Sequence, residues 1–284
     1  MHKIFISFLF LICFSAVANA EQLKFVQITD THLSLNGSNY QGRDLVNSVK
    51  YLESSVKSVN NMKDVSFVVF SGDNIDVSNE EDLTKFCEVT KNLNKPYYIT
   101  VGDHDIANNS GLNRRKYIEI VKQYNKNQKN NDTYYYFVPN KDFIVIVMDG
   151  VLSGIITSSH GSYSEEDLEW LDGVLTKYKD KKAIIVQHFP LVAPSDNKSH
   201  KTFDTEAYFD LLNTHKNVIA LLSGHYHGGD KVTLQDGVYH ISTPSIVSDA
   251  HKYRTIEINY DRNLLFSDDP KFDLKTELIP TQTN

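Results

Sequence analysis

The chain is short of cysteine, of excess basic charge and of long apolar runs, and each shortage excludes a class of protein. It has 284 residues and two cysteines, and only Cys87 lies beyond residue 20, so a disulfide-stabilised fold is excluded. The formal net charge of -7 argues against broad binding to nucleic acid. The apolar run at residues 4–14 is too short for a convincing membrane span. What remains is an ordinary globular composition, in which Cys87 is predicted to be a small buried apolar residue.

The first twenty residues are typical of a secretory signal peptide. His2 and Lys3 precede the apolar run, and residues 18–20 read Ala-Asn-Ala, which is a cleavage signal before Glu21. We therefore expect a secreted or periplasmic protein whose mature chain starts at Glu21 and which has no stable membrane anchor.

Eight short runs, rich in β-branched or aromatic residues and bounded by turn signals, predict strands. They are residues 23–29, 65–71, 96–101, 143–149, 183–188, 218–223, 237–243 and 253–259. Apolar residues at helical spacing lie between several of these runs, and a capping-box pattern at Ser164 and Asp167 predicts the start of one helix. The alternation predicts one layered α/β domain over residues 21–266, and the polar residues 267–284 predict an irregular C-terminal tail.

Clusters of Asp and His follow five of the predicted strands. In chain order they read Asp30-Thr31-His32, Gly72-Asp73, Gly102-Asp103-His104-Asp105, His188 and Gly224-His225-Tyr226-His227. In open α/β sheets, ligands bind beyond the carboxyl ends of strands, so these side chains are expected to meet at one edge. Imidazoles and carboxylates together suit divalent metals with mixed nitrogen and oxygen ligands. A pair of such metals indicates hydrolysis, most often at phosphorus.

The order of these clusters resembles the calcineurin-like metallophosphoesterase superfamily, whose pattern is D-x-H, G-D, G-N-H-[D/E], H and G-H-x-H. The resemblance covers residues 27–227. Within the superfamily it is nearest to the cyclic-nucleotide and glycerophosphodiester phosphodiesterases, because the helix predicted after Ser164 contains Trp170-Leu171. The resemblance implies a four-layer αββα sandwich, in which helices flank two mixed β-sheets and a dimetal site lies at the carboxyl ends of strands.

The same resemblance implies a role for each motif residue. Metal one would be bound by Asp30, His32, Asp73 and His227, and metal two by Asp73, Asp103, His188 and His225. His104 would be the catalytic general acid near the leaving-group oxygen, and Asp105 would orient it. The two divalent ions could be Mn, Fe, Zn or Co. A hydroxide shared between them would attack phosphorus in line with the leaving group.

Two positions depart from related patterns. The family usually has Asn where this chain has Asp103, and the extra negative charge would cost a neighbouring phosphate roughly 1–4 kcal/mol while tightening metal binding. The purple acid phosphatases, a sister group, need a Tyr three residues after the bridging Asp. Asp76 occupies that position here, which excludes an iron(III)–tyrosinate site.

The sequence leaves part of the function open. The leading hypothesis is a secreted metal-dependent phosphoesterase that acts on a small phosphate ester and not on nucleic acid. Phosphodiesterase and acid-phosphatase-like monoesterase are rivals, because no pocket shape can be read from the sequence. A non-catalytic binding protein on the same fold is disfavoured by the five histidines that the motifs keep. Histidines outside the motifs, including His200, are predicted to be surface or packing residues.

Overall fold

The computed structural model describes residues 20–153, 157–196, 200–261 and 272–281. The strands are β1 Ala20–Ile28, β2 Val68–Ser71, β3 Tyr97–Thr100, β4 Tyr135–Phe137, β5 Phe143–Val147, β6 Val151–Ser153, β7 Thr157–Gly161, β8 Lys182–Val186, β9 Val218–Ser223, β10 Lys231–Gln235, β11 Val238–Ser242, β12 Lys252–Asp261 and β13 Phe272–Pro280. The helices are α1 Ser48–Asn60, α2 Glu80–Thr90, α3 Arg114–Tyr124, α4 Glu165–Lys177 and α5 Thr205–Thr214. A short 3₁₀ turn, Leu45–Asn47, leads into α1.

The strands form two large mixed sheets and one small hairpin. The first sheet has the order β13-β12-β1-β2-β3, and its β1, β2 and β3 are parallel. The second has the order β10-β11-β9-β8-β5-β4, and β5, β8, β9 and β11 are parallel. Strands β6 and β7 pair with each other. The Asp and His motifs follow the parallel strands β1, β2 and β3 of the first sheet and β8 and β9 of the second.

Three apolar layers hold the sheets and helices together. Alternate residues of both sheets, among them Phe25 and Val186, pack between the sheets. The opposite face of the first sheet packs on α1, α2 and α3 through residues such as Phe70 and Phe86. The outer face of the second packs on α4 and α5 through residues such as Ile185 and Leu171. Because strand side chains alternate between faces, each central strand is apolar on both sides. The predicted four-layer αββα sandwich is confirmed.

The local predictions mostly agree with this structure. All eight predicted strands occur, with ends that differ by at most three residues. Ser164 and Asp167 form the predicted capping box at the start of α4. Cys87 is buried on α2, and burial raises the pKa of its thiol to about 12, as befits a packing residue.

The prediction of an irregular C-terminal tail is wrong for residues 272–280. They form β13, which pairs antiparallel with β12 along its whole length. The segment reads Phe-Asp-Leu-Lys-Thr-Glu-Leu, and its period-two alternation is typical of an edge strand with one face on the protein. The charged residues of the segment, Asp273, Lys275 and Glu277, lie on the exposed face and make the segment look like a polar tail in the sequence.

The predicted signal peptide lies outside the described residues except for Ala20, where β1 begins. None of the helices in the described ranges is long and apolar enough to cross a membrane.

Candidate metal centre

The motif residues meet at one edge of the sandwich, where five parallel strands end. Asp30 and His32 follow β1, Asp73 follows β2, and Asp103 follows β3. His188 follows β8, and His225 and His227 follow β9. The seven side chains form two groups, each with two carboxylates and two imidazoles whose candidate ligand atoms lie within 4.8 Å of one another. Both groups contain Asp73.

The first group comprises Asp30, His32, Asp73 and His227. The Nε2 atoms of His32 and His227 face each other at 2.9 Å. Nε2 of His32 lies 3.6 Å from Oδ2 of Asp73, and Nε2 of His227 lies 3.5 Å from Oδ1 of Asp30. These four atoms surround one point.

The second group comprises Asp73, Asp103, His188 and His225. Nε2 of His188 lies 3.2 Å from Nδ1 of His225 and 3.2 Å from Oδ2 of Asp73. Oδ1 of Asp103 lies 3.3 Å from Nδ1 of His225. Oδ2 of Asp73 therefore faces both groups.

The donor atoms fit two divalent ions. Two ring nitrogens bound to one ion at about 2.1 Å and roughly at right angles lie about 3 Å apart, which is the spacing in both groups. Oδ1 of Asp103 is buried and has no hydrogen-bond donor within the described residues. Buried polar atoms are normally paired, so an unpaired carboxylate oxygen beside two ring nitrogens indicates a bound cation. The mixed nitrogen and oxygen ligand set suits first-row transition metals.

Hydrogen bonds outside the two groups fix the orientation of the ligands. Nδ1 of His188 donates to the carbonyl of Ser71 at 2.9 Å, which leaves Nε2 free for a metal. The carboxylate of Asp30 accepts from Thr29 Oγ1 at 2.6 Å and from the backbone N–H of His225 at 3.1 Å. His188 and Asp30 are therefore oriented by hydrogen bonds from outside the two groups as well as by their strands.

The backbone at the strand ends is adapted to these side chains. Asp30, His32, Asp73 and His225 all have positive φ angles, an uncommon conformation that costs free energy and clusters at functional sites. Gly72 has a φ of 94°, and a Cβ there would lie 2.5 Å from Nδ1 of His188. The glycine of the G-D motif thus leaves room for a ligand from the other sheet.

The metal-free charge states differ between the groups. Burial, with the nearby His227, holds the pKa of His32 well below its usual range, and burial also lowers the pKa of His227. Burial would lower the pKa of His188 too, but the charge of Asp73 and the proximity of the Asp73 and Asp103 carboxylates, 3.2 and 3.5 Å from Nε2, raise it well above that range. The first group therefore offers neutral imidazoles, whereas His188 holds a proton that an incoming ion must displace.

His104 lies beside the groups, and Asp105 does not orient it. Nδ1 of His104 donates to the main-chain carbonyl of Asp76 at 2.5 Å. The Asp105 carboxylate points the other way and accepts from the backbone N–H groups of Asn74, Ile75 and Gly102 at 2.8–3.1 Å. Neighbours in the chain need not face the same way, so the predicted orienting role of Asp105 is wrong. Its carboxylate instead ties the loop after β2 to the loop after β3.

A cavity of about 820 Å³ opens over the two groups. His104, Arg43 and His200 are among its lining residues. His200 was predicted to be a surface or packing residue, and Arg43 belongs to no motif. Only the fold brings Arg43 to within 3.4 Å of His104 Nε2, because the two residues lie on different loops. Sequence reasoning had no signal for either residue.

Comparison with known proteins decides the family. The calcineurin-like phosphoesterase family matches residues 23–229. The chain belongs to this family. It is 32% identical over 206 residues to a probable glycerophosphodiester phosphodiesterase of Arcobacter nitrofigilis, with 71% of each chain covered. It is 23% identical over 289 residues to the manganese-dependent ADP-ribose/CDP-alcohol diphosphatase of Homo sapiens, covering 81% of this chain and 84% of the relative.

The fold is also found among solved structures. A dimetal phosphatase from Danio rerio superimposes with a TM-score of 0.68 at 18% identity, covering 92% of this chain and 99% of that one. These matches confirm the predicted superfamily and the predicted similarity to its phosphodiesterase-like members. The protein is a metal-dependent phosphoric ester hydrolase that uses two divalent metal ions, and the matches do not specify which metal they are.

Proposed function

We propose that the protein is an exported phosphodiesterase that hydrolyses a small phosphate diester. The observation that carries this proposal is the Asp73 carboxylate shared by two four-residue groups on the floor of a large cavity. Asp30, His32 and His227 would complete the ligands of one ion, and Asp103, His188 and His225 those of the other. Asp73 suits the bridging role because its Oδ2 lies 3.6 Å from Nε2 of His32 and 3.2 Å from Nε2 of His188, and so faces both groups.

Two bound ions supply positive charge for the phosphoryl oxygens and an activated water as the nucleophile. The chain's own residues provide the rest of the chemistry. Nδ1 of His104 is fixed by the Asp76 carbonyl, so Nε2 is the nitrogen that can hand a proton to the leaving oxygen. In the metal-free protein, burial lowers the pKa of His104, but the charges of Asp73 and Asp103 raise it by more.

Two observations support a diester rather than a monoester. A cavity of about 820 Å³ has room for substituents on both sides of a phosphate. The relative from Arcobacter nitrofigilis is a probable glycerophosphodiester phosphodiesterase. The human relative is manganese-dependent, which makes manganese the first ion to supply.

Export is supported by the sequence of the first twenty residues alone. Expression of the full chain, followed by cell fractionation and mass determination of the product, tests it. A cytoplasmic product that still begins at Met1 would contradict export.

The function is tested by loading the purified protein with manganese, zinc or iron and comparing bis(p-nitrophenyl) phosphate with p-nitrophenyl phosphate. We expect metal-dependent turnover with a higher kcat/KM for the diester. A higher value for the monoester would identify a phosphatase instead. No metal-dependent turnover of either ester would contradict the proposal.

A further inference from the structure

Arg43 is a buried arginine in the wall of the cavity above the metal centre. Its residue exposure is 6%. Nη1 lies 2.9 Å from Oδ1 of Asp76, 3.3 Å from Nδ1 of His32 and 3.4 Å from Nε2 of His104. A guanidinium is always charged and is costly to bury, so its surroundings must compensate for the lost hydration.

Asp76 holds both Arg43 and His104 in place. Its carboxylate pairs with the guanidinium, and its main-chain carbonyl accepts the proton of His104 Nδ1. The backbone N–H of Asp76 is itself bonded to the carbonyl of Leu33 at 3.1 Å. Asp76 thus fixes the guanidinium relative to the imidazole.

The position of Arg43 also explains a third group of potential metal ligands. His32, Asp76 and His104 could together hold an ion by distance alone. Nη1 of Arg43 is within 3.4 Å of an atom of all three residues. The guanidinium already supplies the positive charge at this point, so the group is not a third metal site.

Arg43 has donor capacity that the protein does not use. A guanidinium only donates, and Nε of Arg43 is buried without an acceptor among the described residues. In the general-acid role proposed above, Nε2 of His104 is also a donor, and it lies next to Nη1 of Arg43. When Nε2 of His104 carries a proton it cannot accept from Nη1 of Arg43, so two donors face each other on two residues that line the cavity, and an anionic oxygen between them would accept from both.

We propose that Arg43 is a catalytic residue that binds the departing oxygen of the substrate together with His104, and that Asp76 positions both. The ligand is an ester oxygen that gains negative charge as its bond to phosphorus breaks. Arg43 lies on the leaving-group side because it is next to the nitrogen that protonates the leaving oxygen. This inference rests on the proposed function.

The kinetic test compares Arg43→Gln with wild type on two diesters that differ only in the leaving group, methyl p-nitrophenyl phosphate and methyl phenyl phosphate. Nitrophenolate spreads its charge over the ring and needs less help from a donor than phenolate does. We expect kcat/KM to fall roughly tenfold for the nitrophenyl ester and roughly a hundredfold for the phenyl ester. Equal losses on both esters, or no loss, would overturn the proposal.

Two further variants serve as controls for this test. Arg115→Gln is the matched control, because Arg115 is an 88% exposed arginine on α3 that pairs only with Glu119 among the described residues. It should leave both esters unaffected. Arg43→Lys keeps the positive charge and still tests the proposal if the Gln variant fails to fold. Its kcat/KM should fall by less, with the same dependence on the leaving group.

Calorimetric titration with inorganic phosphate gives a readout that does not depend on turnover. Arg43→Gln should bind phosphate roughly tenfold or more weakly than wild type, as expected for loss of a charged hydrogen bond. Unchanged affinity would overturn the proposal. If wild type binds phosphate through Arg43 but hydrolyses no diester, the anion contact stands and the proposed function fails. If wild type hydrolyses diesters but both Arg43 tests fail, the inference alone fails.

Discussion

Two polar clusters of this protein differ in whether their members satisfy one another's hydrogen bonds and charges. Arg114 donates to both carboxylate oxygens of Asp149, to the Val151 carbonyl and to Ser153 Oγ, at 2.6–3.1 Å. Thr133 also donates to Asp149. In the metal centre, by contrast, ring nitrogens face ring nitrogens, and Oδ1 of Asp103 has no hydrogen-bond donor among the residues that the structure describes.

The difference separates a structural brace from a binding site. The brace of Arg114, Thr133, Asp149, Val151 and Ser153 satisfies its own charges and joins α3 to the segment after β5. The metal centre brings together ring nitrogens and carboxylate oxygens whose lone pairs and negative charge suit an added cation. Changes in the metal centre should therefore remove metal and activity, and changes in the brace should lower stability.

The largest effect is expected from Asp73→Asn, which removes the negative charge shared by both groups. The variant should hold fewer than two ions per chain by elemental analysis, and its turnover should fall to background. Asp172→Asn is the control, since Asp172 is a half-exposed carboxylate paired with His215 on the outer helices. Full metal content and wild-type turnover in Asp73→Asn would disprove the bridging role.

His104→Ala should separate chemistry from metal binding. We expect two ions per chain to remain and kcat to fall by about 10²–10⁴-fold, because the proton donor is lost while the ligands stay. Single-turnover kinetics and metal analysis of the same preparation measure both quantities. Metal-replete variant protein with wild-type turnover would refute the acid role.

Arg114→Met should break the brace without touching the metal centre. It leaves the buried carboxylate of Asp149 without its main partner, so the free energy of unfolding should fall by roughly 1–3 kcal/mol in urea titrations. Metal content and turnover per folded molecule should stay close to wild type. Arg115→Met, at an exposed position on the same helix, should cost much less. A loss of metal from Arg114→Met would mean that the two clusters are coupled.

Asp103→Asn tests the departure from the family pattern. Removing this charge should weaken binding of the second ion roughly tenfold and lower KM for an anionic diester, because repulsion of the phosphate is relieved. Calorimetry with Mn²⁺ and steady-state kinetics give the two values. Tighter metal binding by the variant would contradict a ligand role for this carboxylate.

Proton release on metal binding is the smallest expected effect. The pKa of metal-free His188 lies well above its usual range, so near neutral pH an ion must displace its proton, whereas the neutral His32 and His227 have none to lose. Metal affinity should therefore rise with pH until the pKa of His188 is passed, and then level off. Titrations in two buffers of different ionisation enthalpy measure the released protons. Buffer-independent heats would contradict the assignment.

Much of the fold and of the metal centre could be predicted from the sequence. Buried parallel strands are continuous apolar runs, and each motif directly follows such a run. The strands that were not predicted are short or lie at edges. Exposed β10 and β13 alternate polar and apolar residues and are easily taken for loops.

The support of the centre could not be predicted, because it depends on contacts between distant segments. Arg43 and Asp76 lie 33 positions apart and belong to no motif, yet they form one ion pair. Asp105 was predicted to orient His104 because the two residues are adjacent in the chain. The direction of a side chain in a loop depends on the neighbouring loop that it bonds, here at Asn74 and Ile75.

The central claim is that seven side chains bind two ions that share Asp73. Anomalous diffraction from crystals grown with Mn²⁺ tests it directly. The account predicts two peaks about 3.5–4 Å apart, one beside Asp30, His32 and His227 and the other beside Asp103, His188 and His225. A single peak, or a peak between His32, Asp76 and His104 where Arg43 lies, would contradict it.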